Sequence, residues 1–168
     1  MVRAYGELTM DDDARILIGF DGSPTAEHAI REAAVLLGAR RALVVTVWEQ
    51  GQAFSPLNLP LSGLEGAPVT VDIRTGLAVD QAAYESAQHL ARAGARLAVE
   101  HGFEASGHAV ADDVTVADTL VRLAAETGAA AVVVGAHRHG RLSKLLLGST
   151  SSAVIERAGC PVVVVRGE

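Results

Sequence analysis

The sequence predicts an α/β domain built on a five-stranded parallel sheet with helices on both faces. Helical and strand patterns alternate along the whole chain. The strand segments are nearly unbroken runs of Val, Ile and Leu, as is typical of strands covered on both faces. Parallel neighbours need a crossover connection, and the intervening amphipathic segments supply helices for it. Together these observations indicate a doubly wound sheet.

The first strand and helix are predicted close to the amino terminus. Arg15 to Phe20, with the sequence RILIGF, is an apolar run of strand length. Ser23 suits the cap of the next helix, Pro24 suits its first turn, and Gly38 suits its end. The predicted apolar face of this helix consists of Ala26, Ala29, Ile30, Ala33, Leu36 and Leu37.

The middle of the chain contains a second strand, a long connection and the longest helix. Ala42 to Trp48 is a β-branched run that predicts a buried strand. Residues from about Glu49 to Thr75 are rich in Gly and Pro and predict a connection, in which VTVDIR could form a short extended piece. A stripe of small and apolar residues predicts a helix over Val79 to His101, ended by Gly102. A weaker strand pattern follows over Glu104 to Val110.

The last third of the chain predicts two more helices and two more strands. A helix over about Val116 to Thr127 ends at Gly128. A strand over Ala130 to Gly135 leads into a polar loop, after which a short helix begins near Ser149. The final predicted strand is Cys160 to Arg166.

Length, charge and cysteine content narrow the function classes. The 168 residues suit one domain, which we assign to 15–168, after a flexible leader over 1–14. Lys and Arg total 14 against 20 Asp and Glu, a net charge of −6, so we expect no nucleic-acid partner. The single Cys160 excludes an intramolecular disulfide. With no apolar run of about 20 residues and no signal-peptide centre, we expect a cytoplasmic protein without a membrane partner.

Residues that follow the strands are the candidate ligand contacts. In a doubly wound sheet, ligands bind beyond the carboxyl ends of the strands, where Asp21, Val47 and Gly135 are predicted. Ser149 is predicted at a helix amino terminus, beside unpaired amides that favour anions. Glycines at 135 and 148 would let backbone N–H groups approach a phosphate. The local pattern leaves a second interpretation open, in which Ser149 only caps its helix.

These residues carry a resemblance to the universal stress protein family. That family has a Gly, two residues, a second Gly, nine residues, and then Gly followed by Ser or Thr. Gly135, Gly148 and Ser149 match its first, third and fourth positions, whereas Arg138 stands at the second. The strings FDGSPTAEHAIREA and LLLGSTSSAVIERAGCPVVVV are similar to the family's opening and closing stretches. The resemblance covers about 15–166.

The resemblance implies a Rossmann-like domain, similar to adenine-nucleotide α-hydrolases, with strand order 3-2-1-4-5. It implies that the protein binds ATP, with Mg²⁺ or Mn²⁺ accompanying the triphosphate, and forms a homodimer through the C-terminal strand 161–166. By position, Asp21 would contact the ribose or adenine and Val47 the base. The positions that would hold the phosphates are Gly135, Gly148, Ser149 and Thr150.

Arg138 departs from the family pattern and allows two outcomes. If the second glycine is needed at positive φ or in contact with a phosphate, Arg costs roughly 1 to 2 kcal/mol of backbone strain and obstructs the ligand. ATP binding would then be weak or absent. If the guanidinium instead meets a phosphate, the charge-assisted hydrogen bond contributes roughly 1.5 to 3 kcal/mol. Arg138 is therefore included among the candidate cofactor-binding residues.

Other polar residues favour structural roles. His137 and His139 lie in a loop without a carboxylate or cysteine at ligand spacing, so no metal site is assigned. Cys160 precedes Pro161 at an apolar strand and suits a buried small residue better than a nucleophile. Trp48, at the end of a strand, suits packing.

The sequence thus favours an adenine-nucleotide-binding module that signals or regulates in the stress response. The alternative is a family member that binds no nucleotide and acts as a protein-interaction dimer. An enzyme is not expected, because GxxxxGK[ST] and the Gly-x-Ser-x-Gly elbow are both absent from the sequence. No catalytic residue is assigned, and ATP hydrolysis would at most be slow, with Asp21 orienting water.

Overall fold

The computed structural model describes residues 15–38, 40–49, 73–112, 114–136 and 148–167. Helices and strands alternate throughout these ranges. In chain order the elements are β1 (Ile16–Gly19), α1 (Pro24–Leu37), β2 (Arg41–Trp48), α2 (Ile73–Glu100), β3 (Glu104–Ala111), α3 (Val116–Thr127), β4 (Ala131–Ala136), α4 (Ser149–Arg157) and β5 (Val162–Arg166). The strands form one parallel sheet in the order β3-β2-β1-β4-β5. The predicted fold class and strand order are confirmed. The predicted leader, 1–14, lies outside the described residues.

The central strand β1 separates two hydrophobic cores. Successive side chains of a strand point to opposite faces of the sheet. Ile16 and Ile18 pack with α1 and α2 on one face, whereas Leu17 packs with α3 and α4 on the other. All three side chains are fully buried. This double coverage explains why the sequence of β1 is an unbroken apolar run.

Helix α1 has the predicted caps. The Ser23 hydroxyl accepts the Ala26 N–H at 3.1 Å, and the Gly38 N–H donates to the Ala34 carbonyl at 3.1 Å. The predicted apolar face needs one correction, because Leu36 is 64% exposed. Leu36 lies at the margin of this face in the last turn, where Leu37 contacts the core instead.

Helix α2 begins earlier than the sequence predicts. It starts at Ile73, so the predicted connection and its extended piece are wrong for residues 73–75, and 50–72 lie outside the described residues. Thr75 and Gly76 have low helix propensity, and the apolar stripe that predicts the helix begins only after them. Further along, Ala91 packs so closely on β3 that a Cβ on Gly107 would lie 2.2 Å from the Ala91 carbonyl oxygen.

The outer edge of β3 is occupied by a side chain of α2. The Gln88 amide group donates to the Gly107 carbonyl at 2.9 Å, and its oxygen accepts the Ala109 N–H at 3.0 Å. Gln88 thus makes the two hydrogen bonds that a further strand would make with Gly107 and Ala109. The predicted strand over 104–110 is confirmed as this edge strand.

The C-terminal elements follow the prediction, with small shifts at their ends. α3 begins after the Thr115 cap and ends at Gly128, as predicted. β5 begins at Val162, two residues later than predicted. Cys160 is half-buried, and burial raises the pKa of its thiol, which fits an apolar role. Within the described ranges, no helix is long and apolar enough to cross a membrane.

Candidate functional site

A cavity of about 200 Å³ opens where the carboxyl ends of β1, β2 and β4 meet α3 and α4. Its wall consists of Gly19, Phe20, Asp21, Ala26, Val45, Val47, Val116, Leu120, Val134, Gly135 and Thr150. The structure therefore brings together four of the predicted contact residues: Asp21, Val47, Gly135 and Thr150. The side chains around the cavity are mostly apolar, and a carboxylate and a hydroxyl are their polar exceptions.

Asp21 is held in a tight turn between β1 and α1. One oxygen of its carboxylate accepts the Ser23 N–H at 3.0 Å. Gly22 has a φ of +76°, a conformation that favours glycine, and a Cβ there would lie 2.7 Å from Leu90 Cδ1. Asp21 is exposed at the cavity wall. It thus stabilises the Ser23 turn and also faces the space that a ligand would occupy.

Strand β2 contributes an apolar wall and a buried hydroxyl. Val45 and Val47 line the cavity. Between them, Thr46 is 6% exposed, and its hydroxyl donates to the Phe20 carbonyl at 2.8 Å. Thr46 is not among the predicted contact residues, although a Thr within a run of Val is a visible interruption.

Gly135, at the end of β4, is required for packing. A Cβ at this position would lie 3.0 Å from Thr25 Cγ2 and 3.2 Å from the Thr25 backbone. Its carbonyl accepts the hydroxyl of Ser151, at 3.2 Å, and Ser151 is 2% exposed. Ser151 therefore connects the first turn of α4 to the end of β4. Like Thr46, Ser151 is not among the predicted contact residues.

The amino terminus of α4 faces the same crevice. Gly148 is the cap residue and Ser149 the first residue of the helix, so the interpretation of Ser149 as the side-chain cap is wrong. Ser149 is exposed, and Thr150 lies in the cavity wall. The first amides of a helix have no intrahelical partner and carry partial positive charge. This end of the cavity therefore favours an anion.

The remaining wall comes from α3, which an ion pair connects to α4. Val116 and Leu120 of α3 line the cavity. Asp118 accepts a hydrogen bond from the Thr115 hydroxyl at 2.7 Å and pairs with Arg157 in the last turn of α4. The Thr115 hydrogen bond and then Arg157 lower the pKa of the Asp118 carboxyl, against the raising effect of burial. The pair thus connects two helices that both border the cavity.

Some predicted residues lie away from the cavity or outside the described part of the chain. Arg138, His137 and His139 fall outside it. Trp48 packs edge-on against Tyr84, with ring centroids 6.0 Å apart, in agreement with the predicted packing role. Among the described residues, no group of three or more His, Cys, Asp or Glu side chains could hold a metal ion.

The parallel sheet and its strand order place the chain among the small doubly wound α/β domains. The chain belongs to the universal stress protein family, whose sequence pattern matches residues 14–166. A universal stress protein of Mycobacterium tuberculosis is 30% identical over 156 residues, which cover 91% of this chain. The chain spans only 45% of the length of that relative.

Two solved structures of similar fold contain a nucleotide. One is a universal stress protein from Archaeoglobus fulgidus in complex with dAMP, which is 22% identical, with a TM-score of 0.55 over 90% of this chain and 97% of that chain. The other is a universal stress protein in complex with cAMP, which is 21% identical, with a TM-score of 0.57 over 92% of this chain and 98% of that chain. At these identities the likeness demonstrates a shared fold.

Proposed function

We propose that this protein binds one adenine nucleotide, ATP, in the crevice and acts in the cytoplasm as a signalling or regulatory module of the stress response. The observation that carries the proposal is the placement of Asp21 and Thr150 in the wall of one apolar cavity, at the amino terminus of α4. The adenine-nucleotide complexes of two relatives of the same fold support it.

The residues of the crevice suit the parts of a nucleotide. The cavity, about 200 Å³, is smaller than the roughly 300–1,000 Å³ of typical ligand pockets. It therefore suits the base, against Val47, with the sugar and phosphates extending outward. Asp21 would accept a hydrogen bond from the ribose. The phosphates would lie at the first turn of α4, along Gly148, Ser149 and Thr150, and beside Gly135.

Binding rather than turnover is the proposed activity. Mg²⁺ or Mn²⁺ would enter with the triphosphate and neutralise part of its charge. The residues of the cavity wall include one carboxylate, Asp21, and it already accepts the Ser23 N–H. Any hydrolysis would therefore be slow, and it would be lost in Asp21→Asn even at ATP concentrations that saturate this variant.

Mass spectrometry of the purified protein, followed by calorimetric titration with ATP, ADP and cyclic AMP, tests the proposal. We expect retained adenine nucleotide or a saturable heat with a stoichiometry of one per chain. Phe20 and Val47 lie close to the proposed base, so we expect protection of their amides from hydrogen exchange on binding. Protein without nucleotide that gives no heat with any of the three ligands would contradict the proposal.

Arg138 favours a second candidate function, in which the protein binds no nucleotide and acts as an interaction dimer. Arg138 stands where the family motif has glycine. Replacing Arg138 by Gly distinguishes the two functions. A gain of ATP affinity in Arg138→Gly indicates that Arg obstructs the site, whereas a loss indicates that Arg holds a phosphate.

We also propose a homodimer that pairs through residues 161–166. The sheet has two edges, and on β3 the Gln88 side chain already occupies the edge groups of Gly107 and Ala109. β5 is the opposite edge and is rich in valine. Apolar edges are commonly protected by pairing. Sedimentation equilibrium should give a mass of two chains, and Val164→Lys should reduce it to one.

A further inference from the structure

The residue before Asp21, Phe20, is hydrogen-bonded to the neighbouring strand β2 through both its backbone N–H and its backbone carbonyl. The Phe20 N–H donates to the Val45 carbonyl at 2.8 Å. The Phe20 carbonyl accepts the Thr46 hydroxyl, also at 2.8 Å. Phe20 itself is 6% exposed. It lies one residue beyond the end of β1, so these two bonds continue the attachment of the chain to β2 up to the residue before Asp21.

The residues after Asp21 are equally constrained. Gly22 adopts a positive φ beneath the Leu90 side chain. Ser23 donates its N–H to the Asp21 carboxylate, and its hydroxyl caps α1 by accepting the Ala26 N–H. The direction of the Asp21 carboxylate is thus determined by hydrogen bonds on both sides of it. Of these, the bond from Thr46 is made by a side chain of another element.

The hydroxyl of Thr46 is not needed to fill the core. Valine has nearly the same shape as threonine and is the residue on both sides, at Val45 and Val47. A valine at 46 would leave the Phe20 carbonyl without this donor. A buried carbonyl that loses its donor is destabilised, and the chain relieves this by turning the carbonyl toward water. That movement would rotate the next residue, Asp21.

We propose that Thr46 is a positioning residue for Asp21, and that the Thr46–Phe20 hydrogen bond thereby sets the preference of the site for ribose over deoxyribose nucleotides. The inference rests on the proposed nucleotide function. Thr46 would act on the ligand indirectly, through Asp21, because Val45 and Val47 line the cavity and Thr46 does not. Hydrogen bonds between a hydroxyl and a carboxylate are short and strongly directional, so a small rotation of Asp21 weakens the bond to a sugar hydroxyl.

The test compares affinities for ATP, 2′-deoxy-ATP and 3′-deoxy-ATP in four proteins. They are the wild type, Thr46→Val, Thr46→Ser and the control Thr127→Val. Thr127 also donates its hydroxyl to a carbonyl, that of Leu123 at 2.7 Å, but at the far end of α3. We expect the wild type, Thr46→Ser and Thr127→Val to bind ATP about tenfold more tightly than one of the two deoxynucleotides, the one that lacks the hydroxyl bound by Asp21. In Thr46→Val we expect the preference to fall below about twofold.

A Thr46→Val protein that folds and keeps the wild-type ratio would overturn the inference, because Thr46 would then serve stability alone. A wild type that binds all three nucleotides equally would also overturn it, while leaving the proposed function intact. Absence of any nucleotide binding in the wild type would remove both. If Thr46→Val does not fold, Thr46→Ala is measured in its place. Failure of both variants to fold would overturn the inference, because Thr46 would then be needed for the stability of the core.

Discussion

The two sides of the crevice differ in the kind of contact that each could offer a ligand. On the β1–α1 side, the candidate contact is a side chain, the Asp21 carboxylate, held by the Ser23 N–H and by the attachment of Phe20 to β2. On the β4–α4 side, the candidate contacts are backbone amides at the start of α4, positioned by the Ser151 hydroxyl on the Gly135 carbonyl.

This difference predicts how substitutions act on each side. A change at Asp21 alters the chemistry of the contact itself. Changes on the β4–α4 side act through geometry, because the groups that would contact the ligand belong to the main chain. The two sides also need glycine for different reasons. Gly22 is required for a positive φ, whereas Gly135 is required for the close approach of Thr25.

The largest effect is expected for Gly22→Ala. Gly22 and Gly38 both have positive φ, but only at Gly22 would a Cβ meet a neighbour, Leu90. We expect Gly38→Ala to cost about 1 to 2 kcal/mol of strain, and Gly22→Ala about 1 kcal/mol more. Urea unfolding of both variants measures the free energies. Equal losses of unfolding free energy in the two variants would contradict this expectation, because the Leu90 side chain would then move aside without an energetic penalty.

Asp21→Asn should affect binding more than stability. The amide oxygen of Asn can still accept the Ser23 N–H, so the turn persists. A hydrogen bond to a charged group contributes about 1.5 to 3 kcal/mol, so removing the charge should weaken ATP binding by about tenfold. Calorimetry on Asp21→Asn and wild type measures this difference. Equal affinities at unchanged stability would exclude Asp21 from the contact.

Ser151→Ala should produce a smaller loss on the opposite side. Removing the hydroxyl leaves the Gly135 carbonyl without this donor, which should cost about 1 kcal/mol of stability. ATP binding should weaken by a few-fold, because the first turn of α4 is less firmly placed. Ser152→Ala, in the same turn, is the matched control. A loss in Ser152→Ala equal to that in Ser151→Ala would contradict this role.

The smallest effect is expected from the α3–α4 ion pair. The folded state lowers the pKa of Asp118, so its contribution is present above the ordinary pKa of Asp and is lost as the pH falls below about 4. Asp118→Asn should therefore be slightly less stable than wild type at pH 7, and the difference should shrink toward pH 3. Urea midpoints across this range measure it. A difference that grows on acidification would contradict the assignment.

The fold could be predicted from the sequence because its signals are local. Unbroken valine runs indicate β4 and β5, a β-branched run indicates β2, and Ser23 and Gly38 indicate the ends of α1. The start of α2 was misplaced, since Thr75 and Gly76 have low helix propensity and the apolar stripe that predicts the helix begins after them.

The site could be predicted only in part. Asp21, Val47 and Gly135 can be placed together because strand ends meet at one edge of a parallel sheet, and the family resemblance adds Thr150. Thr46 and Ser151 were not found, because the value of a buried hydroxyl depends on its partner. Their acceptors are on residues 26 and 16 positions away in the sequence.

A crystal structure of the protein grown with ATP tests the central claim most directly. The account predicts a sugar oxygen within hydrogen-bond distance of the Asp21 carboxylate, the base in the cavity beside Val47, and phosphate oxygens at the amides of Ser149 and Thr150. A nucleotide bound elsewhere, or one whose phosphates lie away from the start of α4, would contradict it.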